Sequence, residues 1–381
     1  MRIRVEVSSL ATKSPSGVGF YTKRLTEALD STANTKVYGS CFNFLNRQAI
    51  PDLNIKNKLD SNIFVPLRFY AKAQSYNIAP PFDLFKSPVD LTIHPNFACW
   101  PSMKSKLVAT VIHDLTYIYY PELMEEKNLA HLRRVVPRAI KKSDFIITVS
   151  ESTKMELVKE LGIDPNRCIV TPVPPEEIFF EPSDNEVHNK YSIPTKKYIY
   201  FIGNMEPRKD LPTLISAYRQ LPNKLRKEYS LVMAGGVGWK SEASHKAIES
   251  AKAAGENVVH IGYIDQADSP ALHQNASLFV MPSLYEGFGM PILEAMAGKT
   301  PVLASNIAVL REAGGNAALY AEPRDPADFC KKMIKILTDK ELEAKMNKKA
   351  SIRLDDISWQ QNSLNIINHA KNLIDRRATE Q

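Results

Sequence analysis

The sequence predicts an α/β protein made of two doubly wound parallel-sheet domains, and three observations carry that prediction. Apolar runs of strand length alternate with segments of helical period along most of the chain, the pattern of parallel sheets covered by helices on both faces. At 381 residues the chain is long enough for two cores of ordinary size. Between residues 171 and 195 the periodicity lapses into TPVPPEEIFFEPSDNEVHNKYSIPT, rich in proline and acid, which reads as a linker. A first domain over 1–178, a second over 196–358 and a closing helical segment over 359–381 follow from these breaks.

Bulk properties narrow the function classes. Cys41, Cys99, Cys168 and Cys330 are scattered, with neither a CxxC pair nor a His/Cys cluster, so neither a zinc site nor a disulfide framework is indicated. A cytoplasmic, reducing setting is the expectation. The N-terminal MRIRVEVSS enters an alternating strand directly and lacks the apolar centre of a signal peptide. No run of about eighteen apolar residues occurs, so no segment is expected to span a bilayer. The formal charge of +7 is too small to argue for nucleic acid. It is compatible with a phosphorylated substrate, or with peripheral contact at an anionic membrane.

In chain order, residues 2–7 read as a strand and 10–19, LATKSPSGVG, as a loop before a helix from Phe20 to Leu29. Gly17 and Gly19 in that loop could approach a diphosphate, although loops are rich in Gly and Ser for turn reasons alone. Strands are expected at Val37 to Phe42 and Leu91 to His94. The aromatic stretch from Phe64 to Tyr70, with Phe82 and Phe85, reads as core or as a binding surface. Leu107 to Ile112 is a buried strand that ends in His113-Asp114, and polar groups at a strand's carboxyl end fall at the ligand crevice of an open parallel sheet. His113 is therefore a candidate for a polar group of a ligand, and Asp114 for a turn cap; His94 is a weaker candidate. The helix over 128–142 carries Arg133, Arg134, Arg138, Lys141 and Lys142, either a solvated face or a membrane contact. A strand over 144–149 and a helix capped at Ser150 complete the first domain.

The second domain opens with the strand Tyr198 to Gly203, whose exit carries Arg208 and Lys209 before a helix over 211–218. Two adjacent cations there suit a diphosphate, Arg by its fork and Lys as a point charge. Ser230 to Ala234 is the next strand, with Gly235-Gly236 at its exit, and Val258 to Ile264 is another. Residues 277–305, SLFVMPSLYEGFGMPILEAMAGKTPVLAS, read as strand, glycine-rich loop, helix and strand. Gly287, Phe288, Gly289, Met290, Pro291 and Ile292 bring backbone N–H groups and the positive end of a helix dipole to one place, which suits phosphate. Glu286 and Glu294 bracket it and can reach different parts of one ligand. The alternative for both is a surface carboxylate that merely favours the helix dipole. From Pro326 the chain turns helical, with a last amphipathic helix opening at Trp359.

The string around Glu286 and Glu294 resembles the E-x7-E signature of retaining glycosyltransferases of the GT-B fold, family four, in which two Rossmann-like domains face each other across a cleft. The resemblance is most specific from Phe201 to Glu312. It implies a cleft with the nucleotide sugar on the second domain and the acceptor on the first, and a closing helix that packs back on the first domain. It implies Glu286 at the donor sugar, Glu294 on the ribose hydroxyls, Arg208 and Lys209 on the diphosphate, Tyr263 and Ile264 near the base, and Gly203 and Gly235 close to the nucleotide. In the family the first loop usually holds a Gly-Gly pair. Here Ser16 precedes Gly17, which puts that contact in doubt. The implied activity is hexosyl transfer with retention, from a nucleotide-diphosphate sugar to a glycan or lipid-linked acceptor in polysaccharide synthesis. The string HDLTYIYYPE leans toward bacterial mannosyltransferases and GDP-mannose, with a UDP-sugar as the alternative. No cofactor and no metal are expected, because no Asp-x-Asp site is present and the basic pair can stabilise the leaving charge. The competing readings are a nucleotide-sugar 2-epimerase and a non-catalytic sugar-binding protein. A dehydrogenase is disfavoured, as no GxGxxG follows the first strand.

Overall fold

The computed structural model describes residues 1–11, 17–46, 53–57, 59–62, 65–76, 78–183 and 186–379; Ser16 and Phe64 lie outside them. Strands β1 (Arg2–Glu6), β2 (Lys36–Phe42), β3 (Asp60–Asn62), β4 (Val89–His94), β5 (Ser105–Ile112), β6 (Phe145–Thr148) and β7 (Cys168–Val170) form one sheet in the order β3-β2-β1-β4-β5-β6-β7. Strands β8 (Lys197–Ile202), β9 (Tyr229–Ala234), β10 (Val258–Gly262), β11 (Leu278–Met281), β12 (Val302–Ser305) and β13 (Leu319–Ala321) form a second, ordered β10-β9-β8-β11-β12-β13. Every strand pair is parallel. Strand order reverses between β1 and β4 in the first sheet and between β8 and β11 in the second, and the crevice at such a reversal is where open α/β sheets bind ligands.

The residue types account for the layers. In the second sheet Ile199, Phe201, Leu231, Met233 and Val280 share one face and pack on Leu214, Tyr218 and Met333 of the covering helices. Tyr200 and Phe279 lie on the other face and meet the ring of His273 at centroid distances of 5.1 and 5.5 Å. Strands buried on both faces in this way have little room for polar residues, which explains their near-continuous apolar runs. Each large side chain so buried contributes about 1.5–3 kcal/mol.

Two compact units result: residues 1–115, 127–173 and 358–381 form one, and 116–126 with 174–357 the other. The closing helix, Trp359–Thr379, belongs to the first unit, where Asn362 Nδ2 donates to Pro172 O at 2.6 Å and Trp359 meets Tyr21 at a centroid distance of 5.6 Å. Residues 116–126 depart from the sequence reading, which kept them in the first domain. They join the second unit because Trp239 Nε1 donates to Leu123 O at 2.7 Å, Lys240 Nζ donates to Glu122 O at 2.6 Å, and Tyr119 stacks on Tyr285. Among the described residues no helix is long and apolar enough to cross a membrane.

Candidate active site

The strongest concentration of functional chemistry lies at the β8/β11 reversal, entirely within the second unit. After β8 the chain makes a short 3-10 turn, Pro207–Lys209, and enters the helix Leu211–Arg219 through Asp210, which holds a left-handed φ of 48°. After β11 it runs through Pro282 to Gly289 into the helix Met290–Ala297. One backbone bond stitches the two exits together: Leu284 N–H donates to Arg208 O at 2.7 Å. Residues nearly eighty positions apart in sequence thereby become neighbours.

Four buried or half-buried charges meet there. Arg208 Nη1 donates to Glu286 Oε2 at 2.7 Å and Lys209 Nζ to Glu286 Oε1 at 2.6 Å, so each carboxylate oxygen faces one cation. Arg208 also donates through Nε to Glu206 Oε2 at 2.8 Å and through Nη1 to Tyr285 O at 3.2 Å. Burial alone would raise the Glu286 carboxyl, but Arg208 and Lys209 outweigh it and hold the group down to about 2. Burial lowers the Lys209 ammonium, and Glu286 opposes that effect. Two cations and two carboxylates balance, which is what makes such a cluster tolerable out of water. The sequence reading missed Glu206; its only signal was an acid two positions before Arg208.

Glu294 sits about one helical turn further on, in a very different environment. Burial and, next, the charge of Glu176 push its carboxyl up to about 7. His273 Nε2 is 3.9 Å from Glu294 Oε2, yet it provides no ion pair, since burial takes the imidazole down to about 4 and leaves it neutral. Its Nδ1 hydrogen-bonds Ser269 O at 2.8 Å, which puts the proton on Nδ1 and leaves Nε2 as an acceptor. That Nε2 and the hydroxyl of Tyr200 are both buried without a hydrogen-bond partner. His273 and Glu176 escaped sequence reasoning because one is a lone histidine in an apolar helix and the other stands in the proline-rich linker.

Two glycines explain how backbone comes close to this site. Gly235 has φ 126°, and a Cβ there would lie 2.2 Å from Gly203 O, so only glycine lets the β8 and β9 exits touch. Gly289 caps the helix Met290–Ala297 at φ 110°, where a Cβ would meet Leu310 at 2.9 Å. Phe288 and Ile292 direct their side chains into the core. The Ile292 N–H already donates to Gly289 O at 3.0 Å, so the first turn offers fewer donors than its sequence promised. Tyr263 at the β10 exit is exposed and Ile264 beside it is buried.

The first unit holds the remaining candidates. Gly17 and Gly19 lie inside the helix Gly17–Ser31 and not in a loop, because the helix starts three residues earlier than its sequence indicated. Gly19 is buried there. His113 follows β5 as expected, but its Nε2 bonds Pro95 O at 2.7 Å and its ring lies edge-on to Tyr21, which leaves Nδ1 to serve as an acceptor. His94 is buried with both ring nitrogens unpartnered. Glu6, which the sequence reading passed over, ends β1 buried, and burial raises its carboxyl to about 7. Among the described residues no group of three or more His, Cys, Asp or Glu side chains is arranged to hold a metal ion.

Comparison with known proteins gives this geometry a context. The profile of glycosyl transferases group 1 matches residues 183–353. The chain is 29% identical over 280 residues to O-antigen chain mannosyltransferase B of Escherichia coli, covering 73% of each protein. It is 28% identical over 321 residues to the serotype-specific mannosyltransferase WbdA of E. coli, a match that takes in 82% of this chain and 37% of that longer protein. In three dimensions it superposes on HepE of Anabaena, solved in complex with UDP and glucose, with a TM-score of 0.70 at 16% identity, covering 98% of this chain and 100% of the other.

Proposed function

We infer the reaction from the premise that this chain is a glycosyltransferase of GT-B fold whose second domain belongs to glycosyl transferases group 1: it moves a hexose, mannose before others, from a nucleotide-diphosphate sugar to a glycan or lipid-linked acceptor in surface polysaccharide synthesis, with retention at the anomeric carbon. The choice of mannose rests on the likeness to the O-antigen mannosyltransferases. The observation that carries the reading is the convergence of Arg208, Lys209 and Glu286 at one strand-order reversal, with Glu294 about one helical turn beyond.

Each group has a part suited to its environment. Arg208 and Lys209 face the diphosphate and meet the negative charge it gains as the bond between the anomeric carbon and the phosphate oxygen breaks. Glu286, held ionised by those same cations, accepts hydroxyls of the donor sugar and orients it. An acid pinned to about 2 holds no proton to give at neutral pH, so it is no general acid. The acceptor oxygen bonds to the anomeric carbon on the face the phosphate leaves, and its proton passes to the departing phosphate oxygen. Glu294 accepts the vicinal hydroxyls of the ribose. Tyr263 and Ile264 lie at the base, and His113 Nδ1 accepts a hydroxyl on the acceptor side.

Because the basic pair supplies the charge that a divalent ion would otherwise bring, transfer is expected to survive exhaustive chelation. Abolition by EDTA with rescue by magnesium or manganese would show the diphosphate site to be misassigned. The reaction itself is tested by incubating the protein with GDP-mannose and UDP-sugars, with and without a mannosyl acceptor, and reading the product anomer by NMR. An α-linked product from an α-linked donor supports the proposal. An isomeric nucleotide sugar formed without acceptor would reveal an epimerase instead.

A further inference from the structure

The segment from Thr116 to Glu126, TYIYYPELMEE, is more aromatic than a connection between two elements needs, with tyrosine at three of its first five positions. It folds as one helical turn, Thr116–Tyr119, and a short 3-10 turn, Pro121–Leu123. Tyr120 N–H donates to Thr116 O at 2.9 Å and Leu123 N–H to Tyr120 O at 3.1 Å, while Pro121 has no N–H with which to carry the first turn further. Tyr117 and Met124 are buried, and Tyr119 and Tyr120 lie half-buried where the two turns meet.

Both ends of this segment rest on loops that hold Arg208. At one end Tyr119 stacks on the ring of Tyr285, with a centroid distance of 5.9 Å and 26° between the planes, and Tyr120 tilts against the same ring at 5.6 Å. Tyr285 is buried, and its carbonyl accepts from Arg208 Nη1 at 3.2 Å. At the other end Trp239 Nε1 donates to Leu123 O and Lys240 Nζ to Glu122 O, from the loop that follows β9. That loop lies against Glu206: a Cβ on Gly238 would stand 2.8 Å from Glu206 Cγ and 2.9 Å from Met205 O, and Met205 N–H donates to Gly236 O at 3.0 Å. Glu206 in turn accepts from Arg208 Nε at 2.8 Å. The guanidinium is gripped from two sides, by Tyr285 with Glu286 and by Glu206, and residues 116–126 bridge the two supports.

We propose that Tyr119 and Tyr120 are positioning residues for Arg208, on the reading above that Arg208 meets the diphosphate of the donor. They act through Tyr285. Two rings against its side chain fix the backbone that carries its carbonyl and the neighbouring Glu286, and those two acceptors fix the direction of the Arg208 fork. A guanidinium binds phosphate best when its planar fork is aimed, and a shift of about 1 Å in such a group can cost about a hundredfold in rate. Tyrosines that only filled space would support the fold equally with or without Arg208.

The test is a double-mutant cycle on the full chain, with transfer measured from GDP-mannose, or from UDP-glucose if that is the donor the wild type uses. Tyr119→Ala with Tyr120→Ala should lower kcat about ten- to a hundredfold in the wild type. On an Arg208→Ala background the same pair should cost less than about threefold, because no fork is left to aim. Damage to the fold would remove the same factor from both backgrounds, so the cycle separates it from positioning. Tyr119→Phe with Tyr120→Phe keeps both rings and should hold kcat within about twofold of wild type. Trp239→Phe, which removes only the donor to Leu123 O, gives a milder second cycle: a loss of about threefold, again only while Arg208 is present. Equal losses with and without Arg208, or wild-type kcat in the double alanine variant, would overturn the positioning role and leave Arg208 on the diphosphate. Wild-type kcat in Arg208→Ala would instead remove the diphosphate reading on which the role depends.

Discussion

Arg208→Ala and Lys209→Ala are each expected to lower turnover by about two to three orders of magnitude, the loss seen when one donor to a developing oxyanion is removed. The charge they meet grows as the phosphate departs, so the deficit should appear in kcat more than in KM. The structure adds a second consequence. Glu286 touches both cations while almost wholly buried, so either variant leaves it half-compensated and costs stability as well. The two effects separate by pH. The Glu286 carboxyl is depressed in the folded protein, so its stabilising contribution is full above its ordinary range near 4.5 and is lost as pH falls toward about 2. The variants should therefore be less stable than wild type at pH 7 and converge on it in acid. Wild-type kcat in both would remove the diphosphate assignment.

Glu294→Gln should do the opposite to the empty protein. Here the folded carboxyl is raised to about 7, so the native state holds its proton more tightly than the unfolded chain. Ionisation then costs stability as pH rises from about 4.5 to about 7. Replacing the acid by an uncharged isostere should raise the melting temperature at pH 8, by an amount worth about 1–3 kcal/mol, and change little at pH 4. Nucleoside diphosphate affinity should meanwhile fall by about one to two orders of magnitude, since bonds to a charged acceptor are worth about 1.5–3 kcal/mol. In wild type the same affinity should weaken below pH 7 as Glu294 takes up its proton. The groups that face it are His273 from the helix Ser269–Gln274, Tyr200 from β8 and Glu176 from the linker. Glu286→Gln, by contrast, should bind the diphosphate nearly as wild type and fail in transfer. Titration calorimetry of both variants decides between the two roles; exchanged behaviour would exchange the assignments.

That these residues gather at one end of the second sheet was legible before any coordinates, and the reasons are physical. Glu286, Arg208 and Lys209 stand just past apolar strands, with Glu294 in the helix that follows one of them, and a parallel sheet sends such strand exits to one edge whatever the details of packing. What could not be read was which group neutralises which. Glu286 and the basic pair had separate tasks in the sequence, the sugar and the diphosphate, whereas in space they form one ion-paired unit. Local composition misled at Gly17 and Gly19, because glycine and serine before a helix look the same whether the helix starts early or late. His113 kept its place at the end of β5, but its bond to Pro95 depends on a neighbour eighteen positions away. Phe82 and Phe85, treated alike on sequence, part company, one in the core and the other almost wholly in solvent.

The eleven residues from Thr116 to Glu126 bear on how such enzymes can be recombined. They belong to the unit that holds Arg208 and Glu286, although the chain returns to the other unit on either side of them. Tyr119 and Tyr120 both lie against Tyr285, whose carbonyl accepts a bond from Arg208, and Trp239 anchors the far end of the segment. A chimaera spliced at the linker, with residues from 174 onward taken from one parent, would inherit the Arg208–Glu286 cluster backed by the other parent's tyrosines. On the donor-site assignment proposed above, the heritable module for donor choice is discontinuous, and an exchange that carries 116–126 along with 174–357 is the one that moves it whole.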